Sequence, residues 1–204
     1  MTIRFHDRDL PAPLQNVTSV AIDTETMGLN PFRDRLCVVQ LSSGDGSADI
    51  VKIAQGQDSA PNLVALLGDP SVLKLFHFAR FDLGILYKTF GVMPEPVYCT
   101  KIASRLARTY TDRHGLRDLA RELAEVEISK QQQSSDWGAD TLSDAQLAYA
   151  ASDVLHLHVL RERLDAMLAR EGRSEIAQSC FDFLPTRVKL DLGGFADDDI
   201  FAHS

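Results

Sequence analysis

One apolar run that ends in two carboxylates constrains this chain more than any other stretch: Ser19-Val20-Ala21-Ile22-Asp23-Thr24-Glu25-Thr26-Met27-Gly28-Leu29. Val20, Ala21 and Ile22 favour a pleated interior and Gly28 marks a turn, so the run reads as a buried strand. Side chains two apart on a strand share a face, which places Asp23 and Glu25 side by side at its C-terminal end. Adjacent like charges near a core are costly, and burial raises at least one pKa unless a cation neutralises the pair. The arrangement therefore asks for a metal ion. A solvated turn with two acids has the same local sequence, so the choice rests on partners elsewhere in the chain.

The rest of the chain alternates strand and helix. A turn at Asn30-Pro31-Phe32-Arg33-Asp34 leads to a second strand over 35–41 and, after a glycine-containing turn, a third over 48–53, an antiparallel three-strand opening. A short helix over 61–68, a strand over 72–77 and a helix over 79–90 ended by Gly91 follow. Residues 1–18 read as an irregular, proline-punctuated lead-in, and helices are predicted over 99–109 and from near Gly115. In the polar connector over 129–141, Trp137 reads as a packing anchor. Ser143-Asp144-Ala145-Gln146 has the form of a capping box that opens one long helix to about Glu171. This pattern indicates an α/β fold with a mixed central sheet flanked by helices. The 204 residues suit one domain over 1–204, with a core over about 17–170 and a C-terminal helix and tail over 174–204.

Two further acids stand where α/β sheets hold their sites. Asp82 lies in the first turn of the helix that follows the fourth strand, although dipole compensation alone accounts for an acid there. Tyr149 and Asp153 are four apart and share one helix face. Asp23, Glu25, Asp82 and Asp153 together offer an all-oxygen set, which selects Mg²⁺ or Mn²⁺, and the lack of a His/Cys cluster disfavours zinc. Two such ions can hold both the attacking and the leaving oxygen of a phosphoryl displacement, with Tyr149 positioning the water.

A formal net charge of -8 argues against broad adhesion to long nucleic acid or an anionic membrane, so a polyanionic substrate must be met locally. Arg113, His114 and Arg117, beside a predicted helix start and near Lys101, Arg105 and Arg108, could bind phosphate through side chains and free N–H groups. A solvated charged face or an oligomer contact accounts for them equally well. Cys37, Cys99 and Cys180 are odd in number and widely spaced, which suggests reduced thiols. No apolar run spans a bilayer and no signal peptide is evident, so a cytoplasmic protein without membrane partners is expected.

At this point the motifs resemble the tyrosine branch of the DEDD exonuclease superfamily, the ribonuclease D-like 3′–5′ exonucleases. The motifs are D-T-E at Asp23 to Glu25, H-F-A-R-F-D-L at His77 to Leu83, and Y-A-A-S-D at Tyr149 to Asp153. S-D-W at Ser135 to Trp137 and L-S-D-A-Q-L at Leu142 to Leu147 are also similar to that family. The resemblance implies a ribonuclease H-like (DnaQ-like) exonuclease fold and two Mg²⁺ or Mn²⁺ ions. It assigns Asp23, Glu25 and Asp153 to the nucleophile side, Asp23 and Asp82 to the leaving-group side, and Tyr149 to the water. It also implies substrate contacts from Thr26, Met27, Leu29, His77 and Phe81, with Leu29 as a wedge between the last two bases. Phe78 departs from the pattern, since relatives commonly place Asn there.

In compact size, in its acidic C-terminus and in lacking the helical RNA-binding domains of ribonuclease D, the chain resembles the nanoRNase members of that family. This implies an exoribonuclease that releases nucleoside 5′-monophosphates from RNAs of two to a few nucleotides, assembled as a homo-oligomer such as an octamer. The apolar tail residues Phe195, Ile200 and Phe201 around Asp197-Asp198-Asp199 are then expected to dock on a neighbouring copy. The alternatives are trimming of longer RNA, a DNA exonuclease, since the motifs address the scissile phosphate rather than the sugar, and a non-catalytic nucleic-acid-binding module. The last has no need of paired carboxylates.

Overall fold

The computed structural model describes residues 2–30, 32–129 and 131–203; Pro31 of the predicted turn lies outside them. Six strands, β1 (Thr2–Asp7), β2 (Ser19–Thr26), β3 (Leu36–Ser42), β4 (Ser47–Lys52), β5 (Leu73–Phe76) and β6 (Val97–Cys99), form one sheet in the order β1-β4-β3-β2-β5-β6. The β2–β3 and β3–β4 pairs are antiparallel as expected, and β2–β5, β5–β6 and β1–β4 are parallel.

β1 lies in the stretch predicted to be irregular. Only Ile3 and Phe5 of its residues are apolar and most of the strand is exposed, as suits an edge strand, and side chains as well as the ladder hold it. Arg4 donates two hydrogen bonds to Asp49, and the His6 ring sits 2.7 Å from the same carboxylate. β6 is three residues long, too short to carry a periodic signal.

The helices are α1 (Pro61–Gly68), α2 (Ala79–Phe90), α3 (Thr100–Ala107), α4 (Leu116–Leu123), α5 (Asp144–Leu155), α6 (Leu157–Arg170) and α7 (Ser174–Leu190). The single long helix expected from Ser143 to Glu171 divides at His156. A straight helix of that length would run roughly 40 Å. Instead α5 lies across β2, β3 and β4, while α6 turns to pack on α3. Trp137 is buried against the Tyr149 ring, centroids 6.0 Å apart, as the anchor reading expects. Arg108 is a correction. It is fully buried at the end of α3, where it donates to the Arg113 carbonyl at 2.8 Å and pairs with Glu122, so it belongs to the core and not to a phosphate-facing surface.

Beyond α7 the chain leaves through a wide helical turn at Asp191–Phe195. Arg80 of α2 and Arg187 of α7 both bind the Asp191 carboxylate, and Arg80 also donates to the Ala196 carbonyl at 3.0 Å. The Phe201 ring returns to within 6.0 Å of Phe183 on α7. The start of the tail is thus tied to its own chain, while Phe195, Ile200 and Phe201 stay exposed. All three cysteines are free thiols. Among the described residues no helix is long and apolar enough to cross a membrane.

Candidate metal centre

The pleat of β2 puts Asp23 and Glu25 on the face that α5 covers, and Asp153 comes down from α5 to meet them. One carboxylate oxygen from each of the three lies within 4.8 Å of the others. The angular phase of α5 brings this about. The Gln146 N–H donates to Ser143 Oγ at 3.3 Å and the Gln146 side chain accepts from the Ser143 N–H at 2.9 Å, the reciprocal pair foreseen from the sequence. Gln146 also donates to the Asp136 carbonyl at 3.1 Å, so the helix start is fastened to the connector that carries Trp137. Tyr149, one turn before Asp153, then borders the same cluster.

Asp82 reaches the site from the other side. Almost fully buried in the first turn of α2, it accepts a 2.6 Å hydrogen bond from Thr24 Oγ1. Thr24, between the two acids, points to the opposite face of β2, and its hydroxyl fixes Asp82 while its neighbours face α5. Sequence reasoning missed this role for Thr24. The available signal was its place inside D-T-E, where alternation turns a hydroxyl to the face opposite the two acids.

Burial is the main force on these groups. It raises Asp23 to about 7. Burial, followed by the charges of Asp23, Asp153 and Asp82, raises Glu25 to about 10. Burial and the charge of Asp23 raise Asp153 to about 8 and push Asp82 well up. Among the described residues no cation compensates them, so the cluster is a set of oxygen ligands that a hard divalent ion would relieve, and the residues fit Mg²⁺ or Mn²⁺. A carboxylate whose folded pKa is raised holds extra protons in the native state. The metal-free protein is therefore most stable below the unfolded value, near 4.5 for Glu25, and loses stability as pH rises through the folded value near 10. We expect the melting temperature in chelator to fall between about pH 5.5 and about pH 8.5, and Glu25→Gln to flatten that slope and to melt higher at the upper pH. Parallel slopes for the two proteins would contradict the assignment of this strain to Glu25.

The other predicted residues divide into two groups. Leu29, 84 % exposed, and Phe81 line a cavity of about 390 Å³ together with Phe78, Arg80, Val188 and Leu192. Gly28 lets this turn close, because a Cβ there would fall 2.3 Å from Asp34 Oδ2, which accepts the Asn30 N–H. Thr26 donates to the Gly28 carbonyl at 2.5 Å, and Met27, half exposed, lies against Gly138. His77 Nδ1 lies 2.9 Å from Thr100 Oγ1, whose own hydrogen goes to the Phe76 carbonyl, so Nδ1 donates and Nε2 is left an acceptor. Burial and then Lys101 hold its pKa down at about 3, so the ring is neutral.

Phe78 has a left-handed backbone, φ 65°, at the N-cap of α2, with the Lys101 ammonium 4.4 Å above its ring. Asn takes that conformation more easily, which gives the family's preference a backbone reason. Arg113 and His114 lie on the turn before α4 and Arg117 in its first turn. Arg113 and Arg117 are exposed, His114 bonds to Ser104 at 2.8 Å, and Arg117 faces Glu127 at 3.9 Å. Among the described residues no hydrogen bond or ion pair links them to the carboxylates.

A family model described as 3′-5′ exonuclease matches residues 3–169. Ribonuclease D of Gluconacetobacter diazotrophicus is 42 % identical over 154 residues, 76 % of this chain and 39 % of that protein. The chain thus spans about two fifths of the length of the ribonuclease D relatives it matches. Brucella melitensis NrnC with bound Mg²⁺ is 62 % identical with a TM-score of 0.96, and NrnC bound to pGG is 63 % identical with a TM-score of 0.97; each comparison covers all of both chains. The mixed six-stranded sheet with its flanking helices is the ribonuclease H-like exonuclease fold that the motifs imply.

Proposed function

Because this chain belongs to the 3′-5′ exonuclease family, we propose that it hydrolyses RNA from the 3′ end and releases nucleoside 5′-monophosphates. Asp23, Glu25, Asp82 and Asp153 would hold two Mg²⁺ or Mn²⁺ ions. The observation that carries the reading is the convergence of Asp23, Glu25 and Asp153 within 4.8 Å, with Tyr149 on the same helix. Bound ions supply Lewis-acid activation of the water and charge stabilisation at the leaving oxygen.

The chain's own groups supply position. Asp23 stands between the Glu25–Asp153 side and the Asp82 side and belongs to both. Tyr149, its pKa raised by burial and then by the charges of Asp153, Glu25 and Asp23, keeps its proton and orients the water as a hydrogen-bonding partner rather than as a base. Leu29 and Phe81 offer apolar surface to a terminal base, with Thr26 and Met27 beside them. The acceptor Nε2 of neutral His77 suits a sugar hydroxyl better than a phosphate oxygen, which favours RNA over DNA.

We read the preferred substrate as two to a few nucleotides long. The net charge of -8 offers no extended basic track, and the relative bound to pGG carries a dinucleotide-sized ligand. The same reading has Arg113, His114 and Arg117 meet the 5′ phosphate of the substrate, in a cytoplasmic homo-oligomer. The test is degradation of labelled RNAs of graded length, with matched DNA, in Mg²⁺. We expect kcat/KM for a 5′-phosphorylated dinucleotide to exceed that for a twenty-nucleotide RNA by about tenfold or more, roughly the effect of one well-placed charge-assisted contact. Arg113→Ala or Arg117→Ala should reduce the dinucleotide rate more than the long-RNA rate. Higher efficiency on the long RNA would replace this reading with ribonuclease D-like trimming.

A further inference from the structure

β3 is buried along its whole length, and among its otherwise apolar central residues it carries one amide, Gln40. Gln40 is fully buried, and neither its Nε2 nor its Oε1 has a hydrogen-bond partner among the described residues. A buried amide left in that state costs about 1–3 kcal/mol. Leucine or methionine would occupy a similar volume without the cost. Packing therefore gives no reason for a glutamine in this strand.

Its register does. Gln40 is the direct cross-strand partner of Asp23 in the antiparallel β2–β3 pair. Side chains of such a pair leave the sheet on the same face, with Cβ atoms about 4.5–5.5 Å apart. The amide therefore shares with Asp23 the face beneath α5. The flanking positions on that face are apolar: Val38 opposes Glu25, and Ile50 opposes Gln40 from β4. Of the two β3 residues set against the paired acids, Gln40 alone can make a hydrogen bond. The backbones are already in register, so contact with the Asp23 carboxylate requires side-chain rotation only.

We propose that Gln40 is a positioning residue of the metal centre, its Nε2–H donating to the Asp23 carboxylate and fixing the orientation in which Asp23 ligates. The inference rests on the metal-site reading given above. Partners behind a ligand restrict its rotamers and sharpen its geometry, and their loss typically lowers metal affinity by about 10–100-fold.

The experiment is calorimetric titration of Mn²⁺ into metal-free wild-type protein, Gln40→Leu, Gln40→Met and Asp23→Ala, with a melting temperature for each in chelator. The expected result is a dissociation constant raised about 10–100-fold in both Gln40 variants, with metal-free melting temperatures unchanged or higher, because an unpartnered amide has been removed. Excess metal should restore most of kcat. If either folded Gln40 variant binds Mn²⁺ with the wild-type constant, the positioning role is overturned and Gln40 is a core residue only. If Asp23→Ala binds as wild type does, the metal-site reading itself fails and this inference with it.

Discussion

Asp23→Ala is expected to lower turnover by roughly 10³-fold or more, the upper range for loss of one preorganised electrostatic group, while leaving a folded protein. Glu25→Ala, Asp82→Ala and Asp153→Ala should follow with comparable losses, and Asp23 should be the most severe, because it alone stands between the trio and Asp82. The sign of the stability effect sets this apart from simple unfolding. The carboxylates are buried and repel one another, so removing one relieves strain in the metal-free protein. Each variant should melt in chelator at or above the wild-type temperature and gain less than wild type on adding Mg²⁺. Single-turnover rates with a labelled dinucleotide, read beside those melting curves, provide the check. Near-normal turnover in any one variant removes that residue from the site.

Tyr149→Phe should cost about 10²-fold in kcat, at the lower end for a group that handles a reacting proton or water, and little in KM. The substitution keeps the ring, and with it the packing against Trp137. It deletes only the hydroxyl, which stays protonated because burial and three nearby carboxylates push its pKa up. A group that acts by orientation leaves the shape of the pH profile alone. The variant's kcat should therefore track that of wild type at a lower level through neutral pH. A wild-type kcat would show that the water is placed by other groups, and a collapse in stability would show that the hydroxyl serves the fold.

Much of this site was legible because its residues sit where local chemistry leaves marks. Asp23 and Glu25 follow an apolar run, Asp82 opens a helix bounded by Gly91, and Asp153 and Tyr149 ride a helix announced by Ser143 and Gln146. The α1 and α2 boundaries at Pro61–Gly68 and Ala79–Phe90 come out as the apolar spacing and terminators predict. What stayed hidden depends on long-range pairing. β1 offers only two alternating apolar residues, Ile3 and Phe5, and much of what holds it is Arg4 and His6 meeting Asp49 from across the sheet. The break at His156 reflects α6 turning towards α3, which no local signal encodes. Thr24 and Gln40 are ordinary polar residues within strands until register shows that one touches Asp82 and the other opposes Asp23. Arg108 looked like a surface cation because the Glu122 that receives it comes from another helix.

The capping pair at the start of α5 works as an angular index. Each residue of an α-helix advances about 100° around its axis, and Tyr149 and Asp153 are read out six and ten positions after Ser143. One residue gained or lost between Ser143 and Tyr149 would swing both side chains away from β2, although every apolar position could still find a neighbour. The polar stretch before Asp136 has no such indexing duty, since Trp137 and the Gln146 contact to Asp136 reset the chain after it. Length variation among related chains should therefore collect in that stretch and be absent from the ten residues that follow Ser143.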